Sequence, residues 1–172
     1  GLTQYCGNWF YVYKGYLDWT SNTLTQYGGA WFYIEYGQIN WGYNNLFCYE
    51  GNWYLISDGI LNSGYTGLYF YNGTWYYLVN GYLDWSATTL TYYNNTWFYV
   101  ENGAINWNCK TLCHYNGDWY FVENGAVNWN YTGLAYHDGG WFYVANGVLD
   151  WGYSGLTYYV DTWYYVGNGV LN

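Results

Sequence analysis

Aromatic and polar positions along the chain follow a phrase of 22 residues that recurs without insertion or deletion. A clear copy is residues 112–129, LCHYNGDWYFVENGAVNW, in which a β-forming segment from Trp119 to Val122 precedes Asn124-Gly125. An Asn-Gly pair between β-forming segments is the strongest short-range hairpin signal, because both turn residues need a positive φ. The phrase therefore predicts a β-hairpin whose tip is Asn124-Gly125.

Three positions of the phrase keep this spacing along the whole chain. They are the opening leucine (Leu2, Leu24, Leu46, Leu68, Leu90, Leu112, Leu134, Leu156), the first tryptophan (Trp9, Trp31, Trp53, Trp75, Trp97, Trp119, Trp141, Trp163) and the turn glycine (Gly15, Gly37, Gly59, Gly81, Gly103, Gly125, Gly147, Gly169). A fixed period is typical of repeat arrays. We therefore predict an all-β fold, a β-solenoid of tandem stacked β-hairpins built from eight 22-residue repeats, the last one truncated. The predicted domain is a single array over 1–172, with repeats 2–23, 24–45, 46–67, 68–89, 90–111, 112–133, 134–155 and 156–172.

The predicted turns also fix which side chains share a face, because side chains alternate along a strand. A second polar turn at residues 115–118 makes each repeat a three-stranded meander, with Leu112 opposite Phe121. One face of the sixth repeat is apolar and is predicted to be core: Tyr120, Val122, Val127 and Trp129. The other face mixes rings with a carboxylate and an amide and is the candidate ligand face: Trp119, Phe121, Glu123 and Asn128.

Composition narrows the possible partners. Lys and Arg total 2 against 11 Asp and Glu, for a net charge of −9, while aromatic residues make up 29% of the chain. Such a surface repels phosphate backbones, so nucleic acid is not an expected partner. No apolar run approaches the roughly 18 residues that a membrane-spanning helix needs, so membrane insertion is not expected either.

The four cysteines fall in four different positions of the repeat and are not part of its plan. Cys109 and Cys113 lie four residues apart across the connection between two repeats. A tight turn there brings them within range of a disulfide, whereas an extended connection leaves them as free thiols. Both alternatives are open from the sequence, and no cysteine has the spacing of a zinc site.

Residues 67–85, GLYFYNGTWYYLVNGYLDW, resemble the aromatic cell-wall-binding repeats of Gram-positive bacteria. This class includes choline-binding repeats, glucan-binding repeats and the repeats of clostridial toxins. The resemblance implies a β-solenoid whose ligands bind between consecutive hairpins, without catalysis. One departure is that a leucine, such as Leu68 or Leu134, stands where the family has its first cage tryptophan, which removes one ring from a choline cage.

Ligand contacts are predicted on the mixed face of four repeats, where rings stack on sugar C–H groups and carboxylates or amides bind hydroxyls. These residues are Trp75, Tyr77, Asp84, Trp97, Tyr99, Asn106, Trp119, Phe121, Asn128, Trp141, Tyr143 and Asp150. The alternative is that the rings only pack repeat on repeat. In the third repeat Ser63 replaces the second tryptophan and Leu55 replaces a ring, so a poor pocket is expected there.

Two functions follow from these features. The first is a non-catalytic module of a secreted or surface bacterial protein, which binds a cell-wall polymer or another glycan through aromatic grooves between hairpins. The alternative is a structural rod or fibre subunit that self-associates end to end. No catalytic residue, cofactor or metal site is predicted, because the carboxylates are spread along the repeats and His114 and His137 lack a nucleophile partner.

Overall fold

The computed structural model describes residues 1–172 and consists of β-strands and turns. The chain divides into two compact units, Gly1–Asp84 and Trp85–Asn172. Neither contains a helix with the length and apolarity that crossing a membrane requires. Each unit has twelve strands, in groups of three that repeat the pattern of a four- to six-residue strand, a six-residue strand and a two-residue strand.

The strands of the first unit are β1 (Leu2–Tyr5), β2 (Asn8–Tyr13), β3 (Tyr16–Leu17), β4 (Thr23–Tyr27), β5 (Ala30–Glu35), β6 (Gln38–Ile39), β7 (Asn45–Tyr49), β8 (Asn52–Ser57), β9 (Ile60–Leu61), β10 (Gly67–Tyr71), β11 (Thr74–Val79) and β12 (Tyr82–Leu83). Those of the second unit are β13 (Thr89–Tyr93), β14 (Thr96–Glu101), β15 (Ala104–Ile105), β16 (Lys110–Tyr115), β17 (Asp118–Glu123), β18 (Ala126–Val127), β19 (Gly133–His137), β20 (Gly140–Ala145), β21 (Val148–Leu149), β22 (Gly155–Tyr159), β23 (Thr162–Gly167) and β24 (Val170–Leu171).

Two tight turns set the register of each repeat. In the sixth repeat Asn116 and Gly117 have φ values of 50° and 97°, and Asn124 and Gly125 have values of 52° and 82°. These are the left-handed conformations that two-residue hairpin turns need. The predicted pairings are confirmed, since Leu112 lies opposite Phe121 and Val122 lies opposite Val127.

Consecutive repeats are joined by backbone hydrogen bonds at the second turn. In the second unit the N–H of Phe121 donates to the carbonyl of Gly147 at 2.8 Å, and the N–H of Gly147 donates to Tyr131 at 2.9 Å. The first unit has the same arrangement, with Tyr33 donating to Gly59 at 2.8 Å. The turn of one repeat therefore docks on the hairpin before it, which confirms the predicted β-solenoid of stacked hairpins.

The core lies between successive hairpins and takes residues from both of their faces. Val122 is fully buried, but so are Phe121, which is predicted from the sequence to lie on the ligand face, and Leu112, which lies opposite Phe121 and so shares that face. Phe121 stacks on Tyr131 of the connection to the next repeat, with 3.8 Å between ring centroids. Because an inner hairpin of a unit is covered by a neighbour on both sides, hydrophobic residues of either face become buried.

The prediction that the second tryptophan is core is wrong. Trp129 is 48% exposed, and the equivalent Trp107 and Trp151 are about half exposed as well. The third strand ends at Val127, and the chain turns before Trp129 reaches the sheet. Tyr120, predicted to lie opposite Trp129, pairs with Val148 of the next repeat instead.

Candidate functional site

In six of the eight repeats the first tryptophan packs against an aromatic residue 18 positions later, in the following repeat of the same unit. The ring centroids are 4.8 to 6.3 Å apart. Within the two units these pairs are Trp9–Tyr27, Trp31–Tyr49, Trp53–Tyr71, Trp97–Tyr115, Trp119–His137 and Trp141–Tyr159. Each of these junctions between repeats therefore contains an aromatic contact at the same position of the repeat.

The second tryptophan contributes a further ring to the same region. Trp129 packs edge-on against Tyr120, with 5.9 Å between centroids and 79° between ring planes. The side chain of Asn128, just before it, accepts a hydrogen bond from the N–H of Asn130 at 3.1 Å. This Asx turn directs the chain out of the sheet and places Trp129 beside Tyr120 rather than in the core.

One cavity, here named the Trp97 cage, lies at the junction of the fifth and sixth repeats and has a volume of about 170 Å³. It is lined by Leu90, Trp97, Tyr115, Asn116, Tyr120, Val127 and Trp129. The tryptophan of one repeat and three rings of the next surround it, and the buried Leu90 closes it from the core side. No charged side chain lines it, so its attraction for a ligand comes from aromatic faces and apolar contact.

A smaller cavity, the Trp31 cage, lies at the corresponding junction of the second and third repeats. Its volume is about 70 Å³, and it is lined by Leu24, Trp31, Tyr49, Tyr54 and Tyr82. Ser63 stands where other repeats have the second tryptophan, and Tyr82 of the following repeat packs against Tyr54 at 5.1 Å instead. The third repeat therefore keeps an aromatic cavity, although a narrower one than the Trp97 cage.

The predicted tryptophans and tyrosines occupy different surroundings. Trp75, Trp97, Trp119 and Trp141 are all partly exposed. The predicted partners two residues later are more enclosed: Tyr99 is 5% exposed and Phe121 1%, while Tyr77 and Tyr143 are partly buried. Tyr143 stacks on Tyr153 at 3.6 Å, and burial raises its phenol pKa. Tyr99, Phe121 and Tyr143 thus contribute to packing between repeats.

The predicted carboxylates and amides hold turns and strands together. Asn106 donates to Glu101 Oε2 at 2.6 Å and accepts from the N–H of Asn108 at 2.9 Å. Asp150 accepts from the N–H of Gly152 at 2.9 Å. Asn128 bonds Glu123 at 3.0 Å, and hydrogen bonds from Lys110 and Asn128 lower the pKa of Glu123. Asp84 is partly exposed, and its N–H donates to the carbonyl of Tyr77 at 3.1 Å.

Three groups of aromatic cage residues were not among the predicted ligand contacts. The first is the aromatic four positions into each repeat, represented by Tyr115. The second is the residue after the first tryptophan, represented by Tyr120, and the third is the second tryptophan, represented by Trp129, and both of these residues were predicted to be core. The sequence carried a signal for the first group, because tyrosine recurs there in seven of the eight repeats. The spacing of 18 residues from each first tryptophan is visible only when neighbouring repeats are compared.

Cys109 and Cys113 are free thiols in the structure, which corresponds to the second of the two alternatives left open by the sequence. Both are buried in one cluster with Tyr99 and Val122. The Cys109 Sγ accepts a hydrogen bond from the N–H of Gly125 at 3.3 Å, where other repeats use a backbone carbonyl. Burial raises the pKa of Cys113 to about 11 and also raises that of Cys109.

Alkylation is expected to separate the four cysteines into two classes. Because the thiolate is the nucleophile and burial favours the neutral thiol, Cys109 and Cys113 should react at least about tenfold more slowly with iodoacetamide at pH 8 than Cys6 and Cys48, which are exposed. Mass spectrometry of chymotryptic peptides gives the alkylation rate of each cysteine, and denatured protein serves as the control. Equal rates for all four thiols in the folded chain would contradict the buried placement.

Stacked hairpins with aromatic residues from adjacent repeats at their junctions define a class of proteins, the aromatic β-solenoid repeat proteins. The family model described as "Choline-binding repeat" matches residues 20–40, 42–62, 64–84, 86–106, 110–128, 130–150 and 152–172. The chain belongs to the choline-binding repeat family.

Several solved structures resemble the chain. CbpJ from Streptococcus pneumoniae TIGR4 is 23% identical, with a TM-score of 0.36, and choline binding protein F from Streptococcus pneumoniae is 24% identical, with a TM-score of 0.35. Each match covers 100% of this chain, which spans 52% and 57% of those two proteins. The Cpl-1 endolysin, solved with a peptidoglycan analogue, is 22% identical over 74% of this chain and 36% of its own length, with a TM-score of 0.34. No curated protein sequence matches the chain significantly.

Proposed function

We propose that the chain is a non-catalytic cell-wall-binding module of a secreted or surface bacterial protein. Its ligand is the quaternary ammonium group of choline carried by a wall polymer, held in aromatic cages between consecutive repeats. The observation that carries this proposal is the Trp97 cage, in which Trp97, Tyr115, Tyr120 and Trp129 surround one cavity. Membership of the choline-binding repeat family supports the same ligand.

The lining of the Trp97 cage favours a cationic headgroup over a sugar ring. Aromatic faces attract quaternary ammonium ions, and a cation of this kind needs no hydrogen-bond partner. A sugar has hydroxyl groups that must keep hydrogen bonds when they are buried. The amides and carboxylates predicted to supply those bonds, Asn106, Asn128 and Asp150, already hold turns. The sugar part of a wall polymer is therefore proposed to lie outside the cages.

The second tryptophan compensates for the ring that the sequence lacks at the opening leucine. Leu90 is 3% exposed and forms the floor of the Trp97 cage, while Trp129 supplies a ring from the next repeat. The cage thus keeps several aromatic faces around the cavity despite the leucine. The leucine at the position of the family's first cage tryptophan is therefore compatible with choline as the proposed ligand.

Repetition is proposed to give the module its strength. Sites in successive repeats can engage several choline groups of one polymer, and linked sites bind far more tightly than any one alone. The fibre alternative has no support from the choline-binding repeat family. Binding without catalysis is therefore the function that we propose.

The matched test uses two tyrosines that pack on the same tryptophan. Tyr92 and Tyr115 each lie 5.3 Å from Trp97, but only Tyr115 lines the cage. Tyr115→Leu is expected to weaken choline binding at this junction about 3- to 30-fold, through loss of one cation–π contact. Tyr92→Leu is expected to leave binding unchanged, and calorimetric titration with choline chloride measures both.

A second measurement separates site loss from misfolding. Circular dichroism should match the unsubstituted chain for both variants, and retention on choline-bearing pneumococcal-type wall should exceed retention on wall stripped of choline. A folded, unsubstituted chain that binds neither choline chloride nor choline-bearing wall would overturn the proposed function. Equal loss of choline binding in Tyr92→Leu and Tyr115→Leu would contradict the placement of the binding site in the Trp97 cage.

A further inference from the structure

Both histidines of the chain pack against one tryptophan. His114, from the same repeat as Trp119, lies 5.1 Å from it, and His137, from the next repeat, lies 4.9 Å from it. The chain has only two histidines among its 172 residues. Their meeting at one ring makes the junction of the sixth and seventh repeats chemically unlike the other junctions.

His137 occupies the position of a cage wall. It lies 22 residues after Tyr115, and the other seven repeats have tyrosine at this position. The corresponding Tyr115 and Tyr49 line the Trp97 and Trp31 cages. At the Trp119 junction the imidazole of His137 therefore takes the position that a phenol has in the Trp97 and Trp31 cages.

Hydrogen bonding holds the imidazole of His137 in this place. Its Nδ1 lies 2.9 Å from Thr111 Oγ1 of β16, and its Nε2 lies 3.6 Å from Asp138 Oδ2. The His137 side chain is 21% exposed, whereas that of Asp138 is 92% exposed and therefore well screened by water.

The lysine of β16 is already paired. Lys110, next to Thr111, forms an ion pair with Glu123 at 3.1 Å. His114 is exposed and contacts Trp119 within its own repeat. The groups that face His137 are thus Thr111, Asp138 and Trp119, with His114 beyond the tryptophan ring. None of these groups carries a permanent positive charge that would repel a bound cation.

We infer that His137 is the specificity-determining residue of the Trp119 junction, which binds a quaternary ammonium group only while this imidazole is neutral. A neutral imidazole adds an aromatic wall, whereas an imidazolium places a positive charge against the cation. Among side chains with ordinary titration behaviour, only imidazole changes charge between pH 5 and 8, so a tyrosine-walled cage lacks this response. The inference rests on the proposed function and adds to it that one site of the array releases its ligand in acid.

Reciprocity gives the inference a direct readout. If protonation of His137 weakens choline binding, then bound choline must move the titration midpoint of His137 to lower pH by the same free energy. A shift of one pH unit corresponds to about a tenfold weaker affinity of the protonated form. The size of the shift therefore measures the discrimination at this one junction, even though other sites are present.

The experiment follows the imidazole NMR signals of the full chain between pH 5 and 8, without and with saturating choline chloride. His114→Gln and His137→Tyr assign the two signals, and both replacements are residues that other repeats carry at those positions. We expect choline to displace the His137 titration by about one unit and that of His114 by much less. In calorimetry, the affinity of one site should fall about tenfold from pH 7.5 to pH 5, and His137→Tyr should abolish this fall.

The outcomes distinguish this inference from the function on which it rests. Binding of choline with no change in the His137 titration would overturn the inference and leave the proposed function intact. Equal displacement of both histidines would assign the effect to the general charge of the bound ligand and would also overturn it. Absence of choline binding at every pH would overturn both.

Discussion

Replacing Gly147 by alanine is expected to lower the free energy of unfolding of the second unit by roughly 3–5 kcal/mol. Gly147 has a φ of 79°, and an added Cβ would lie 2.7 Å from the Asn128 carbonyl oxygen and 2.9 Å from the Trp129 Cα. Both contacts are with backbone, which no rotamer change relieves. The substitution would push the turn away from the preceding repeat and break the hydrogen bond from Phe121 to the Gly147 carbonyl.

Gly139→Ala is the matched control for Gly147→Ala. Gly139 lies in the other turn of the same repeat and has a similar φ of 83°, but an added Cβ there meets nothing within 4 Å. Only the left-handed conformation is penalised, at about 1–2 kcal/mol. Urea unfolding followed by circular dichroism compares the two variants. Equal midpoints for Gly139→Ala and Gly147→Ala would show that the turn does not dock as described.

Phe121→Ala and Trp129→Ala are expected to affect different properties, stability and ligand binding, although both remove a ring from one repeat. Phe121 is 1% exposed and stacks on Tyr131, so its truncation leaves a cavity and should cost about 3–5 kcal/mol of stability. Trp129 is 48% exposed and makes an edge contact with Tyr120, so its truncation should cost about 1 kcal/mol. It should, however, remove choline binding at the Trp97 cage.

Thermal unfolding and choline titration, performed on the same two variants, test this contrast. Phe121→Leu serves as the control for volume, because leucine fills most of the cavity and occupies an equivalent position at Leu55. The contrast fails if Trp129→Ala is the more destabilised variant. It also fails if Phe121→Ala stays fully folded and loses choline.

The turns and the strand register could be predicted from the sequence because they depend on local chemistry. Asn-Gly pairs such as Asn124-Gly125 adopt left-handed conformations that few other pairs tolerate, and the alternation of side chains then places Val122 opposite Val127. The recurrence of the pattern at a fixed interval predicted that the hairpins are stacked. The turns and the register need only residues within one repeat, and the stacking needs only the period of the sequence.

The division into core and ligand rings could not be predicted in the same way, because it depends on contacts between repeats. Within one hairpin Phe121 and Trp119 share a face. No feature of that hairpin alone shows that the next repeat covers Phe121 and leaves part of Trp119 exposed. Trp129 was assigned to the core by extending the third strand by two residues. The Asx turn at Asn128 ends that strand early, and it was the unrecognised signal.

The docking of each turn on the preceding hairpin has a consequence for how such chains evolve. Inside each unit the junction contacts join neighbouring repeats, as the bond from Tyr143 to Gly169 illustrates. Recombination that adds or removes whole repeats would therefore preserve the contacts between neighbouring repeats while changing the number of binding sites. Under the proposed function, avidity for the bacterial envelope becomes a heritable quantity that genetic duplication can adjust in discrete steps, without redesign of any individual pocket.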